Sequence, residues 1–213
     1  IISAEEEARL AVAGCAPLIE PTADQLLVFD IGGGSTELIW IDLGGIDPEE
    51  RGAVVRGLSP FNGLSSRASR AAGSRITDWI SVPMGVSTLC DQVPPGTGDE
   101  RARCAAMAAL FEEALVPFAP YRAEDRDGLT RGLQIIGVSG TATTFGALHL
   151  GLQSYDRSRV DGLWLPCDRV DAIAARLLDL GPEGRATHPG IGRGRAELLL
   201  AGAAIMTTIL RLW

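Results

Sequence analysis

No Cys-x-x-Cys pair and no Cys/His cluster occurs in this sequence: Cys15, Cys90, Cys104 and Cys167 stand far apart. That spacing argues against a zinc site and a redox motif, and cysteines in apolar runs read as reduced, buried thiols of a reducing compartment. No apolar run reaches the roughly 18 residues that a bilayer crossing requires. Nor does a charged, apolar, small-residue leader open the chain at Ile1. A cytoplasmic protein without a membrane partner is the expectation. Positive charge in excess is lacking too. The formal net charge is −8 and the pI near 4.8, which argues against a general grip on DNA, since that takes clustered Lys and Arg. Any phosphate site must therefore be local, and the basic residues are arginines, whose planar fork suits phosphate oxygens.

The 213 residues suffice to bury a core without disulfides or metals. Ser3 followed by Glu5, Glu6 and Glu7 makes a helix start, with a hydroxyl cap and first-turn acids, and predicts a helix to about Cys15. Leu26 to Ile31 is a short apolar run stopped by three glycines, the pattern of a buried strand, and a second strand over Thr36 to Leu43 makes the pair a hairpin. Residues 44–75 are rich in Gly, Ser, Arg and Pro and are expected to form a long surface insertion, either a lid or an excursion without a role. A third, half-exposed edge strand is expected over Thr77 to Met84. Further along, a helix is expected from Asp99 to Val116, a buried strand over Leu133 to Val138 running into a helix to Leu150, and helices over Asp168 to Leu180 and Arg195 to Leu212.

Two segments carry chemistry. Gly32, Gly33 and Gly34 let the backbone approach a ligand and aim N–H groups at an anion, and Ser35 and Thr36 add hydroxyls. Glycines in a hairpin serve turn geometry as readily, but here Asp30 ends one strand and Glu37 opens the next. Two carboxylates beside a phosphate would repel it unless a hard cation bridges them, so Mg²⁺, or Mn²⁺ in its place, is implied. The second segment is the turn around Ser139, Gly140 and Thr141, which opens a helix and so offers free N–H groups and the positive end of the helix dipole.

The order EEEARL, LLVFDIGGGSTEL, VSGTATTFGALHLGL, VDGLW and GIGRGRAELLLAGAAI resembles the exopolyphosphatase and guanosine pentaphosphate phosphohydrolase family, the Ppx/GppA phosphatases, of the actin-like ATPase superfamily. The resemblance implies an α/β, ribonuclease H-like lobe over residues 1–213, a mixed sheet flanked by helices. It also implies Mg²⁺-dependent cleavage of terminal phosphoanhydrides of polyphosphate or of the guanosine pentaphosphate alarmone. Carried over, Glu7 corresponds to the catalytic glutamate, Asp30 and Glu37 to the metal acids, and Gly32 to Ser35 and Ser139 to Thr141 to the phosphate loops; Arg195 is a candidate phosphate partner. The family's N-terminal lobe, with its D-x-G-[ST]-N-S loop, has no counterpart here, and this chain alone is expected to hydrolyse little. A sugar-kinase-like ATPase, using Pro189 to Gly194 for a nucleoside, and a non-catalytic polyphosphate or alarmone sensor are the alternatives. A homodimer stays open.

Overall fold

The structure, a computed structural model, describes residues 3–58, 75–96, 99–124, 126–191 and 193–213. It has two compact units. The first comprises Ile1–Asp30, Thr36–Val82 and Leu115–Val138; the second comprises Ile31–Ser35, Pro83–Ala114 and Ser139–Trp213.

The first unit holds the sheet. Strands β1 (Gln25–Ile31), β2 (Thr36–Asp42), β3 (Ile76–Val82) and β4 (Leu133–Val138) lie in the order β3-β2-β1-β4, with β1 and β4 parallel and β2 and β3 antiparallel. Leu26, Leu27, Val28 and Phe29 are all buried, so both faces of β1 are covered, as its unbroken apolar run requires. Helix α1 (Ala4–Cys15) starts at Ser3, whose hydroxyl accepts from the Glu6 N–H at 3.2 Å, and it buries Ala8, Val12 and Cys15. These join Leu26, Val28, Ile39 and Ile41 in one apolar cluster. Each valine, leucine or isoleucine among them contributes about 1.5–3 kcal/mol on burial. A short helix, α5 (Arg126–Thr130), precedes β4.

The expected surface insertion departs from its reading at the start. Residues 51–56 form a helix, α2 (Arg51–Arg56), packed against α1 and the turn at Ala16–Leu18. Arg51 is 6% exposed, and its guanidinium donates to the carbonyls of Pro21 (2.6 Å), Ala23 (2.7 Å) and Ile46 (3.3 Å) and to Asp24 (3.1 Å). An arginine reads as solvent-facing in sequence; a ring of carbonyls makes it a core residue. The rest of the insertion, residues 59–74, lies outside the described residues, as does Gly192 of the glycine-rich turn considered for a nucleoside.

The second unit is helical: α3 (Val86–Gln92), α4 (Glu100–Ala114), α6 (Ser139–His149), α7 (Arg157–Val160), α8 (Cys167–Thr187) and α9 (Ala196–Leu212). Helix α9 is its axis, touching α3, α4, α6 and α8. The run Leu199 to Met206 is buried throughout, its small residues letting neighbours close in. Helix α8 breaks at Gly181 (φ 63°, ψ 177°), just before Pro182. Among the described residues no helix is long and apolar enough to cross a membrane.

None of the four cysteines is in a disulfide, and they differ in reach: Cys15 is buried, Cys90 and Cys104 are half-buried, and Cys167 is exposed. Burial pushes the Cys90 and Cys104 thiols up, against a smaller opposing pull from Arg103. Less thiolate is then present at a given pH. In mildly alkaline buffer, mass-mapped alkylation is expected to mark Cys167 first and Cys90 and Cys104 later, with the gap narrowing as pH rises. Labelling of Cys90 or Cys104 ahead of Cys167 would contradict this.

Candidate functional site

The glycine loop belongs to the helical unit because α3 grips it. The Val86 N–H donates to the Gly32 carbonyl (2.9 Å) and the Ser87 N–H to the Gly33 carbonyl (2.8 Å), so first-turn donors that a helix leaves unmatched are used on the loop. Thr88 Oγ1 accepts from the Gly85 N–H (2.7 Å) and places its one hydrogen within reach of the carbonyls of Gly34 (3.3 Å) and Gly85 (3.1 Å). A trans peptide points its C=O and the following N–H in opposite directions. Holding the Gly32 and Gly33 carbonyls against α3 therefore turns the N–H groups of Gly33 and Gly34 away from it. The Gly32 N–H is spent on the Ser35 carbonyl (2.9 Å), which closes the turn between β1 and β2.

The second loop is fastened to the first. Ser139, at the head of α6, donates its hydroxyl hydrogen to the Ile31 carbonyl at 2.8 Å. The Ser139 hydroxyl is thus the tie between the two loops, and the first-turn amides of α6 remain as donors for an anion. Ser139 adopts φ +77°, alone among described non-glycine residues, a left-handed conformation that costs a side chain about 1–2 kcal/mol. This separates two variants. Ser139→Ala keeps the strain and loses the hydrogen bond, whereas Ser139→Gly loses the bond and sheds the strain. Urea unfolding is expected to find the glycine variant more stable than the alanine variant by about 1 kcal/mol; equal stability would contradict the strained backbone.

The loops open onto one cavity of about 310 Å³, which Gly32, Gly33, Ser139, Gly140, Thr141 and Arg195 help to line. Leu198 and Leu199 of α9 close its apolar side. Arg195 is exposed, and among the described residues no ion pair involves it, so its charge is available to an anion. Glu197, two residues further on, is engaged with Arg103 (2.7 Å) and Arg185 (3.4 Å). Thr144 and Thr143 bond back to the carbonyls of Gly140 (2.6 Å) and Ser139 (2.9 Å). The donors facing the cavity are therefore mainly main-chain amides and one guanidinium, a set that matches a phosphate better than a neutral ligand.

A sequence profile of the Ppx/GppA phosphatase family matches residues 1–212. The chain belongs to that family. In structure, this Ppx/GppA family member is similar to an exopolyphosphatase-like protein, at 25% identity and a TM-score of 0.70, covering 99% of this chain and 57% of that one. It is also similar to a type II variant of the Ppx/GppA phosphatase of Aquifex aeolicus (21% identity, TM-score 0.67, 99% and 57% covered). A third likeness is to an exopolyphosphatase from Cytophaga hutchinsonii (19% identity, TM-score 0.63, 97% and 55% covered). The chain thus spans about 57% of the length of the first of these solved structures. No curated protein matches the sequence. The Ppx/GppA likeness agrees with the mixed four-stranded sheet and its helices, an α/β, ribonuclease H-like fold.

The acids expected in this Ppx/GppA site all lie in the sheet unit. Glu7 is exposed in the first turn of α1, where its N–H donates to the Ser3 carbonyl (2.9 Å). Asp30 is half-buried near the end of β1, paired in register with Val138. Glu37 is 1% exposed, and its Oε1 accepts from Ser81 Oγ at 2.7 Å across the β2–β3 ladder. Thr36, expected as a hydroxyl donor, is wholly buried at the head of β2. Neither Glu37 nor Thr36 has surface to offer a ligand. Among the described residues no group of three or more His, Cys, Asp or Glu is placed to hold a metal. A hard cation such as Mg²⁺ asks for no such group, since it takes one or two carboxylates and fills its shell with water and phosphate oxygens.

Sequence reasoning missed Gly85, Val86 and Thr88, which hold the glycine loop from behind. Met84-Gly85-Val86-Ser87-Thr88 reads as a strand end, and its function lies in main-chain donors, which every residue but proline carries. No residue-type signal marks it.

Proposed function

We propose that this chain is the phosphate-holding lobe of a hydrolase that cleaves terminal phosphoanhydride bonds of inorganic polyphosphate or guanosine pentaphosphate. The carrying observation is the single cavity onto which both glycine-bearing loops and Arg195 open. Amides of Gly33 and Gly34 and of the α6 first turn receive the oxygens of a phosphate chain, and Arg195 adds a charge-assisted contact. Asp30, the half-exposed acid preceding the loop, would hold Mg²⁺, which when bound neutralises phosphate charge; Glu37, enclosed and bonded to Ser81, supports the strand instead. In the proposed step a water oxygen attacks the terminal phosphorus, the bridging P–O bond breaks with its electron pair leaving on the shortened chain, and the water's proton passes to a general base, for which Glu7 is the candidate.

The test is phosphate release from polyphosphate and from guanosine pentaphosphate by the longest natural chain containing these residues. Glu7→Gln is expected to lower the rate by about 10²–10⁴, the range general-base removal produces, while tripolyphosphate binding is retained. A Glu7→Gln rate equal to wild type removes Glu7 from the mechanism. Tight binding with no turnover in either protein would establish a sensor in place of a hydrolase.

A further inference from the structure

Arg185 has no exposed surface and spends every N–H it has. Nε donates to the Ala196 carbonyl (3.1 Å), Nη1 to the Leu177 carbonyl (2.8 Å) and Glu100 Oε2 (3.0 Å), and Nη2 to Glu100 Oε1 (2.6 Å) and Glu197 Oε1 (3.4 Å). The break in α8 makes this possible. In an uninterrupted helix the residue 181 N–H would bond the Leu177 carbonyl. The non-helical Gly181 and the Pro182 after it interrupt that ladder, and the chain returns four residues later with a guanidinium that takes the carbonyl over.

The other end of this clamp is the head of α9. Ala196 and Glu197 are its first two residues, and Arg195 immediately precedes them as a cap whose side chain makes no capping bond. Glu197 is held from a second direction by Arg103, which also donates to the Val93 carbonyl (2.8 Å). Arg195, Leu198 and Leu199 of the same segment line the cavity. An exposed arginine on a helix end is only as well placed as the turn that carries it. We infer that Arg185 is a positioning residue for the cavity, fixing the first turn of α9 so that Arg195 faces the bound anion. The inference rests on the phosphate reading of that cavity.

A residue serving only the fold would weaken binding whether or not Arg195 were present; one acting through Arg195 would not. The experiment is a double-mutant cycle read by calorimetric titration of the full chain with inorganic tripolyphosphate. Arg185→Lys keeps the charge but cannot reproduce the planar fork. It is expected to weaken binding about tenfold in the wild-type background and less than about twofold in an Arg195→Ala background. The same loss in both backgrounds, or no loss in either, overturns the inference. If Arg185→Lys does not fold, Glu100→Gln, which loosens Arg185 from α4 without touching the cavity, enters the same cycle, with the same result expected and the same results overturning the inference. Failure of the folded wild-type chain to bind tripolyphosphate instead sinks the phosphate reading, and the inference with it.

Discussion

Gly85→Ala is expected to weaken tripolyphosphate binding by at least about tenfold and to lower stability by about 1–3 kcal/mol, the usual cost of overpacking a filled site. Gly85 has φ −107° and ψ −172°, extended backbone open to any residue, so strain is not the cause. The cause is distance. An added Cβ would lie 2.4 Å from the Gly32 carbonyl oxygen and 2.5 and 2.6 Å from Gly33 C and O. All three neighbours are main chain, so no side chain can swing aside; the loop itself must move, and the Gly33 and Gly34 amides move with it. Calorimetric titration and urea unfolding of the variant check both parts. Wild-type affinity in a folded Gly85→Ala chain would show that the loop's contact with α3 does not set its geometry.

Gly202→Ala is the second large effect, and here two terms oppose each other. In a helix interior, alanine gains up to about 1 kcal/mol over glycine in propensity. Against it, the new Cβ would lie 2.5 Å from Thr141 Oγ1, 2.7 Å from its Cγ2 and 3.2 Å from its Cβ. Both γ atoms of Thr141 are in the way, and a β-branched side chain on a helix has little rotamer freedom to escape. The clash is therefore expected to win, leaving the variant about 1–3 kcal/mol less stable. Because Thr141 lines the cavity, the displacement reaches the α6 amides and anion binding falls with stability. Adding Thr141→Ala should restore stability to within about 1 kcal/mol of wild type. A single Gly202→Ala variant as stable as wild type would mean α6 and α9 do not close to this distance.

These two glycines also show what the sequence made legible. The alternation and apolar runs of 26–31, 36–43 and 133–138 give β1, β2 and β4 within a residue or two, because buried strands announce themselves by composition. The three glycines and the turn at Ser139–Thr141 stand out in the sequence because glycine and hydroxyl residues are scarce inside elements. What stayed hidden depends on pairing between distant segments. Gly85 and Gly202 look like ordinary small residues until the atoms opposite them are known. Arg51 and Arg185 look like surface charge until carbonyls and carboxylates close around them. For Glu37 and Thr36 the hidden fact is burial: their types suit a ligand, and the strand that carries them is covered on both faces.

The central claim is that the main-chain N–H groups of two loops in the helical unit converge on one anion. The most direct measurement is an amide-resolved NMR titration of the chain with inorganic tripolyphosphate. The account predicts saturable shifts with a common dissociation constant, largest at Gly33, Gly34, Gly140 and Thr141. Shifts confined to one loop, or centred on arginines remote from the cavity such as Arg157 and Arg211, would contradict it.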